Sequence, residues 1–153
     1  MARAELIENL NKALSLELSG VIQYSQHSFL ITGLEREVYR GWFRDQSKEA
    51  HKHVNLLGHK IVALGGVPTV EPAMIRQSTS LTEMLAQDLE LEREAMEAYM
   101  AAWRSCDDGD APTKFLLEEQ IASEQLHIEE LEKLTGQRTS SVTQERIVLR
   151  QIS

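Results

Sequence analysis

What this sequence has little of closes several routes. It holds one cysteine, Cys106, in 153 residues, so no intrachain disulfide is possible and a reducing compartment is allowed. No apolar run approaches the ~20 residues that span a bilayer, and no membrane partner is expected. The opening Met-Ala-Arg-Ala-Glu-Leu lacks the apolar stretch of a signal peptide, which makes the cytoplasm the expected location. Basic residues are outnumbered: 16 Lys+Arg stand against 24 Asp+Glu, a formal net charge of −8. That balance argues against a nucleic-acid partner, because phosphate binding needs clustered Lys and Arg. No segment alternates apolar and polar residues cleanly enough to suggest a sheet. The length suits one domain with a sizeable core.

Proline is scarce as well. Pro68, Pro72 and Pro112 are the three in the chain, leaving 1–67 and 73–111 free of it. Proline inside a helix costs about 3 kcal/mol, so long helices are allowed here. Leu, Ala, Glu, Gln and Met, all good helix formers, fill these stretches. Gly33 can close a first helix and Gly65-Gly66-Val67-Pro68 a second. A polar connection over 66–80 follows. Ser80 and Glu83 have the spacing of a capping box, opening a third helix over 81–105. Asp107-Asp108-Gly109-Asp110 reads as a turn, and Pro112 suits the first turn of a fourth helix that ends near Gly136. Short connections join antiparallel neighbours, whereas the long middle one can run back along a bundle. The expectation is an all-α, antiparallel four-helix bundle over 1–136, with one long crossover between helices 2 and 3. Residues 137–153 read as a tail or one short amphipathic helix.

Each helix should bury one stripe at spacings of three and four. In the first, the stripe is Leu6, Leu10, Ala13, Glu17, Val21, Tyr24, Ser28. In the second it is Val38, Trp42, Glu49, His53, Leu56, Lys60, Leu64, with a gap at Asp45/Gln46. The third reads Leu81, Leu85, Asp88, Glu92, Ala95, Tyr99, Trp103, and the fourth Leu117, Gln120, Glu124, His127, Leu131, Leu134. Every stripe carries a glutamate at mid-height, and two add a histidine. One such acid is ordinary helix-surface wobble. Four at one level are different, because unpaired buried carboxylates are costly and repel one another. A pair of divalent cations answers both problems, since carboxylates and imidazoles are their ligands.

An internal repeat supports the grouping. Glu17 to Glu49 and Glu92 to Glu124 are the same distance apart in sequence, and Glu17–Tyr24 matches Glu92–Tyr99. Tyrosine is rare here, with three in the chain, so that second match is the more telling. Residues 1–65 and 81–136 read as two related helical hairpins.

These residues resemble a known family. A Glu from each of two helices, with Glu-x-x-His from each of the other two, is the di-iron pattern of ferritin-like proteins. Glu124-Gln125-Leu126-His127 fits it directly. Asn11–Leu18, Ala63–Pro68 and Leu85–Glu92 resemble segments of bacterioferritin and related ferritin-like proteins. The resemblance covers about residues 5–135. It implies two iron ions held by Glu17, Glu49, His53, Glu92, Glu124 and His127. Glu49 and Glu124 would bridge, Glu17 and Glu92 would be terminal, and each iron would take one histidine. It further implies oxidation of Fe(II) by O₂ or peroxide for iron storage or detoxification, and a homo-oligomer. Asp88 and Gln120, one turn before Glu92 and Glu124, are placed to orient ligands.

The second helix departs from the pattern. Glu-x-x-His ending at His53 needs an acid at position 50, which is Ala50. Either Glu49, four residues before His53 on the same helix face, reaches the site, or one bridging carboxylate is missing. Glu49 is the preferred donor. His51 falls where bacterioferritins carry the methionine that ligates haem, but its neighbours Lys48, Lys52 and Asn55 favour a surface histidine, and haem is not expected. His27 and His59 are expected on helix flanks; Met74, Met84, Met96 and Met100 in packing; Cys106 in no chemistry. Two other readings stay open: a non-storage di-metal peroxidase or oxidase of the same fold, and a helical interaction protein whose metal site has degenerated.

Overall fold

Each helix ends where the chain supplies a reason. The computed structural model describes residues 2–137 and comprises α1 (Ala2–Leu30), α2 (Arg36–Ala63), α3 (Leu81–Ser105) and α4 (Ala111–Thr135). After α1 the backbone passes through a left-handed residue, Gly33 (φ 83°). The Arg36 guanidinium then donates to the carbonyls of Ser28, Phe29 and Ile31, at 3.2, 3.3 and 2.8 Å. These are acceptors that the last turn of a helix leaves without partners. Gly65 (φ 90°) turns the chain out of α2. Ser80 caps α3 by accepting from the Glu83 N–H. The reciprocal half of the capping box is replaced: Ser78 donates to the Glu83 carboxylate and accepts from the Ser80 N–H. Asp110 caps α4 and Pro112 lies in its first turn. The tail read over 137–153 lies outside the described residues beyond Gln137.

The crossover runs parallel to α1, held by polar residues spaced one turn apart along that helix. Asn11 donates to Val67 O and accepts from Thr69 N–H. Ser15 O accepts from Ala73 N–H. Ser19 donates to Met74 O, and Gln23 accepts from Arg76 N–H. Gln26 donates to Gln77. This ladder delivers the chain to the far end of α1, so α3 returns antiparallel to α1. α1 packs on α2 and on α3, and α3 packs on α4; the α2 and α4 backbones stay farther apart, and side chains such as His53 and His127 meet across the gap.

The core falls into two apolar clusters. One gathers Leu6, Leu10, Leu57, Ile61, Leu91 and Leu117 among others. The second includes Phe43, Met84, Leu85, Leu89, Ile128 and Leu131. Buried polar residues Glu17, His53, Glu92 and Glu124 share this interior.

The stripe expected on α2 is rotated from the observed one. The buried face is Phe43, Ser47, Ala50, His53, Leu57 and Ile61, while Val38 is 69% exposed. Small residues set this face: a Cβ placed on Gly20 of α1 would lie 3.3 Å from Ala50 Cβ, so the two helices approach closely there. Leu134 sits at the rim of α4 and Met74 on the surface, whereas Met84 is fully buried.

Candidate metal centre

The buried polar residues come from all four helices. Glu17 (α1), His53 (α2) and Glu124 (α4) bring ligand atoms within 4.8 Å of one another, and so do Glu92 (α3), Glu124 and His127 (α4). Glu124 belongs to both groups. It is 1% exposed, and its Oε1 is buried without a hydrogen-bond partner. Among the described residues no Lys or Arg pairs with Glu17, Glu92 or Glu124. Three carboxylates are thus gathered in the interior with imidazoles and tyrosines as their companions. A carboxylate oxygen left bare in such a place is costly, and a cation answers that cost.

The two tyrosines of the repeat cross over. Tyr24 of α1 donates to Glu92 Oε1 at 2.6 Å, and Tyr99 of α3 donates to Glu17 Oε1 at 2.9 Å. Burial, with the nearby Glu92 charge, pushes the Tyr24 hydroxyl well above its ordinary range; burial and Glu17 do the same for Tyr99. Both therefore remain donors, and each holds a carboxylate of the other hairpin in place.

The histidines differ. His53 Nδ1 lies 3.3 Å from Glu17 Oε1, and the His53 and His127 rings stack at 6.4 Å between centroids. Burial pulls His53 down, but its hydrogen bond to Glu17 and the charges of Glu17, Glu49 and Glu92 outweigh that and raise it. His127 is lowered by burial and by His53. Burial, then the charge of Glu17, pushes Glu92 up to about 8. Without a cation, a proton takes the cation's place on that carboxylate.

Glu49 stands apart. Its side chain is 37% exposed, it joins neither ligand group, and its Oε1 lies 3.7 Å from His53 Nε2. Ala50, its neighbour, occupies the buried face. Gln120 is half-buried with its Oε1 unpartnered. His51 and His59 are exposed, and Cys106 is buried at the end of α3.

Asp88 does not bond any member of the two groups. It accepts from Gln23 at 2.9 Å and meets His27 Nδ1 at 3.1 Å, the Asp88 and His27 side chains both being fully buried. The expectation of His27 on a flank is therefore corrected: its partner lies across the bundle on α3, and Phe43 packs edge-on against its ring. Burial raises Asp88 despite His27 and Gln23. Gln23 and His27, four apart on α1, and Asp88 on the α3 stripe are the sequence signals for this second network.

Fold and site together define a helical bundle with a buried carboxylate–histidine cluster whose two groups share Glu124. The family model for the ferritin-like domain matches residues 7–139, and the chain belongs to that family. It is 36% identical over 132 residues to a bacterioferritin of Brucella melitensis, covering 84% of this chain and 81% of that protein. A ferritin-like diiron-carboxylate protein of Bacillus anthracis superposes with a TM-score of 0.84 at 31% identity, over 88% of this chain and 98% of that one. The dodecameric thioferritin of Bacteroides fragilis, a bacterioferritin-related protein, superposes with a TM-score of 0.78 at 25% identity, over 88% and 86%.

Proposed function

We propose that this chain binds two Fe(II) ions in the bundle interior and oxidises them for iron storage or detoxification. One observation carries the reading: Glu124, buried and with an unpartnered oxygen, belongs to two ligand groups at once. Glu17 and His53 then serve one ion, Glu92 and His127 the other, and Glu124 is shared. Carboxylates favour Fe(III) over Fe(II), which draws the oxidation forward. Two Fe(II) release two electrons; O₂ takes them with two protons as hydrogen peroxide, or peroxide takes them with two protons as two waters. Tyr24 and Tyr99 hold Glu92 and Glu17 before the ions arrive, which limits the reorganisation that binding requires. Membership of the ferritin-like family and the likeness to a dodecameric relative support a closed homo-oligomer working in the cytoplasm.

The test is an anaerobic Fe(II) titration of the apo protein, followed by O₂ and near-ultraviolet ferric absorbance. Uptake near two irons per chain, lost in Glu92→Ala, is the expected result. Absence of uptake, or a Glu92→Ala variant that behaves as wild type, overturns the reading.

A further inference from the structure

The two edges of the His53 ring face different carboxylates. Nδ1 lies 3.3 Å from Glu17 Oε1, a carboxylate of the same buried ligand group, and Nε2 lies 3.7 Å from Glu49 Oε1. Glu49 approaches from the rim. Its other oxygen pairs with Lys52 at 3.6 Å, and its side chain is more than a third exposed. The core-facing place beside it belongs to Ala50, closely packed on Gly20. So α2 presents an alanine where α4 presents Glu124, three residues before the histidine in both cases.

We propose that Glu49 is a positioning residue and not a metal ligand: it accepts the Nε2–H of His53 from outside, and Glu124 is the one carboxylate shared by the two cations. This inference rests on the dinuclear reading above. A histidine that gives one nitrogen to a metal ordinarily gives its other N–H to a carboxylate, carbonyl or water, which fixes the ring and its tautomer. Glu49 is the carboxylate at that edge. At 3.7 Å the separation exceeds a direct hydrogen bond, and the half-exposed side chain has the freedom to close it or to hold it through one water. The departure at position 50 then changes the composition of the site without emptying it. Three buried carboxylates and two imidazoles remain, and the fourth acid acts through His53.

Anaerobic Co(II) titration of the full chain tests this, read by metal stoichiometry and visible absorption. Wild type is expected to take two Co(II) per chain. Glu49→Gln retains an acceptor for Nε2–H, so it is expected to keep both ions and the wild-type spectrum. Glu49→Ala is expected to keep both but to bind one of them about 10–100-fold more weakly. With wild type intact, a Glu49→Gln variant that loses an ion or shows the band changes of a lost oxygen donor makes Glu49 a ligand and overturns the proposal. A Glu49→Ala variant indistinguishable from wild type overturns it too. Wild type taking fewer than two ions instead removes the dinuclear reading, and this inference with it.

Discussion

The α1–α2 and α3–α4 hairpins are built alike and differ at one position that matters. Each supplies a glutamate, a tyrosine seven residues later and a histidine on the following helix: Glu17, Tyr24 and His53 in the first, Glu92, Tyr99 and His127 in the second. Each tyrosine bonds the other hairpin's glutamate, so neither half completes its own carboxylate. The difference is Glu124 against Ala50. In α4 the residue three before the histidine is an acid common to both ligand groups. In α2 it is a methyl group that lets α1 and α2 close at Gly20. The first hairpin has close packing at that position, and the second has a carboxylate common to both groups. The histidines differ for another reason: burial and His53 lower His127, while Glu17 raises His53 against its burial.

The sharpest way to break this comparison is at Glu124. Glu124→Ala removes a member of both groups, whereas Glu49→Ala removes a member of neither. Oxidation of Fe(II) should fall by more than ~100-fold in Glu124→Ala, beyond the range of a residue that only orients a ligand. Stopped-flow ferric absorbance with both variants side by side reads the contrast. Equal losses in the two would mean that Glu49 is the missing symmetry mate of Glu124.

The second largest effect lies in the other buried acid network. His27 and Asp88 form a pair with no exposed surface, braced by Gln23. Removing one partner of a buried hydrogen-bonded pair leaves a polar group unsatisfied and costs about 1–3 kcal/mol. His27→Ala should lower the urea midpoint accordingly, with iron stoichiometry per folded chain unchanged. Loss of iron binding in the folded variant would join the two networks into one site.

How much of this was legible in the sequence depended on what each residue's partner was. Helix ends were legible because their causes are local: Gly33, Gly65, Ser80, Pro112 and Gly136 act where they stand. The α3 stripe was legible because Leu85, Asp88, Glu92, Ala95 and Tyr99 keep one phase and are all buried. The α2 face was not, since Ser47 and Ala50 face the core by being small, and smallness is not a hydrophobic signal. His27 was misplaced because its partner Asp88 lies 61 residues away. The ladder of Asn11, Ser19, Gln23 and Gln26 has its partners in the crossover, and no local signal on α1 marks that path. The candidate ligands were legible as residue types at one level, while the separation of Glu49 from them required the rotation of α2.

A pH series separates the hairpins by their acids. Glu92 moves from an ordinary value of 4.5 up to about 8 in the fold, through burial first and the charge of Glu17 second. The folded state thus holds this proton more tightly than the unfolded chain does. Its contribution to metal-free stability is full below pH 4.5 and is lost as pH rises through about 8. Urea midpoints of the apo protein should decline across that window. Stabilisation by added Co(II) should grow across the same window, because the cation displaces the proton. A flat apo profile would mean that Glu92 ionises freely in the fold.

The smallest effects belong to the crossed tyrosines, and they distinguish the halves most finely. Tyr24→Phe and Tyr99→Phe each remove one donor from a buried carboxylate, a loss of about 1 kcal/mol in metal-free stability. The two should match in size because the bonds are reciprocal. They should differ in pH dependence. The Tyr24 hydrogen bond pulls Glu92 down against its burial, so losing it moves the decline in apo stability to higher pH. Tyr99 bonds Glu17, and its loss should leave the Glu92 window where it is. Urea midpoints of both variants over the same pH series read the two effects at once. A shift of the window in Tyr99→Phe equal to that in Tyr24→Phe would show that Glu17 and Glu92 share one proton, making the two halves a single titrating unit.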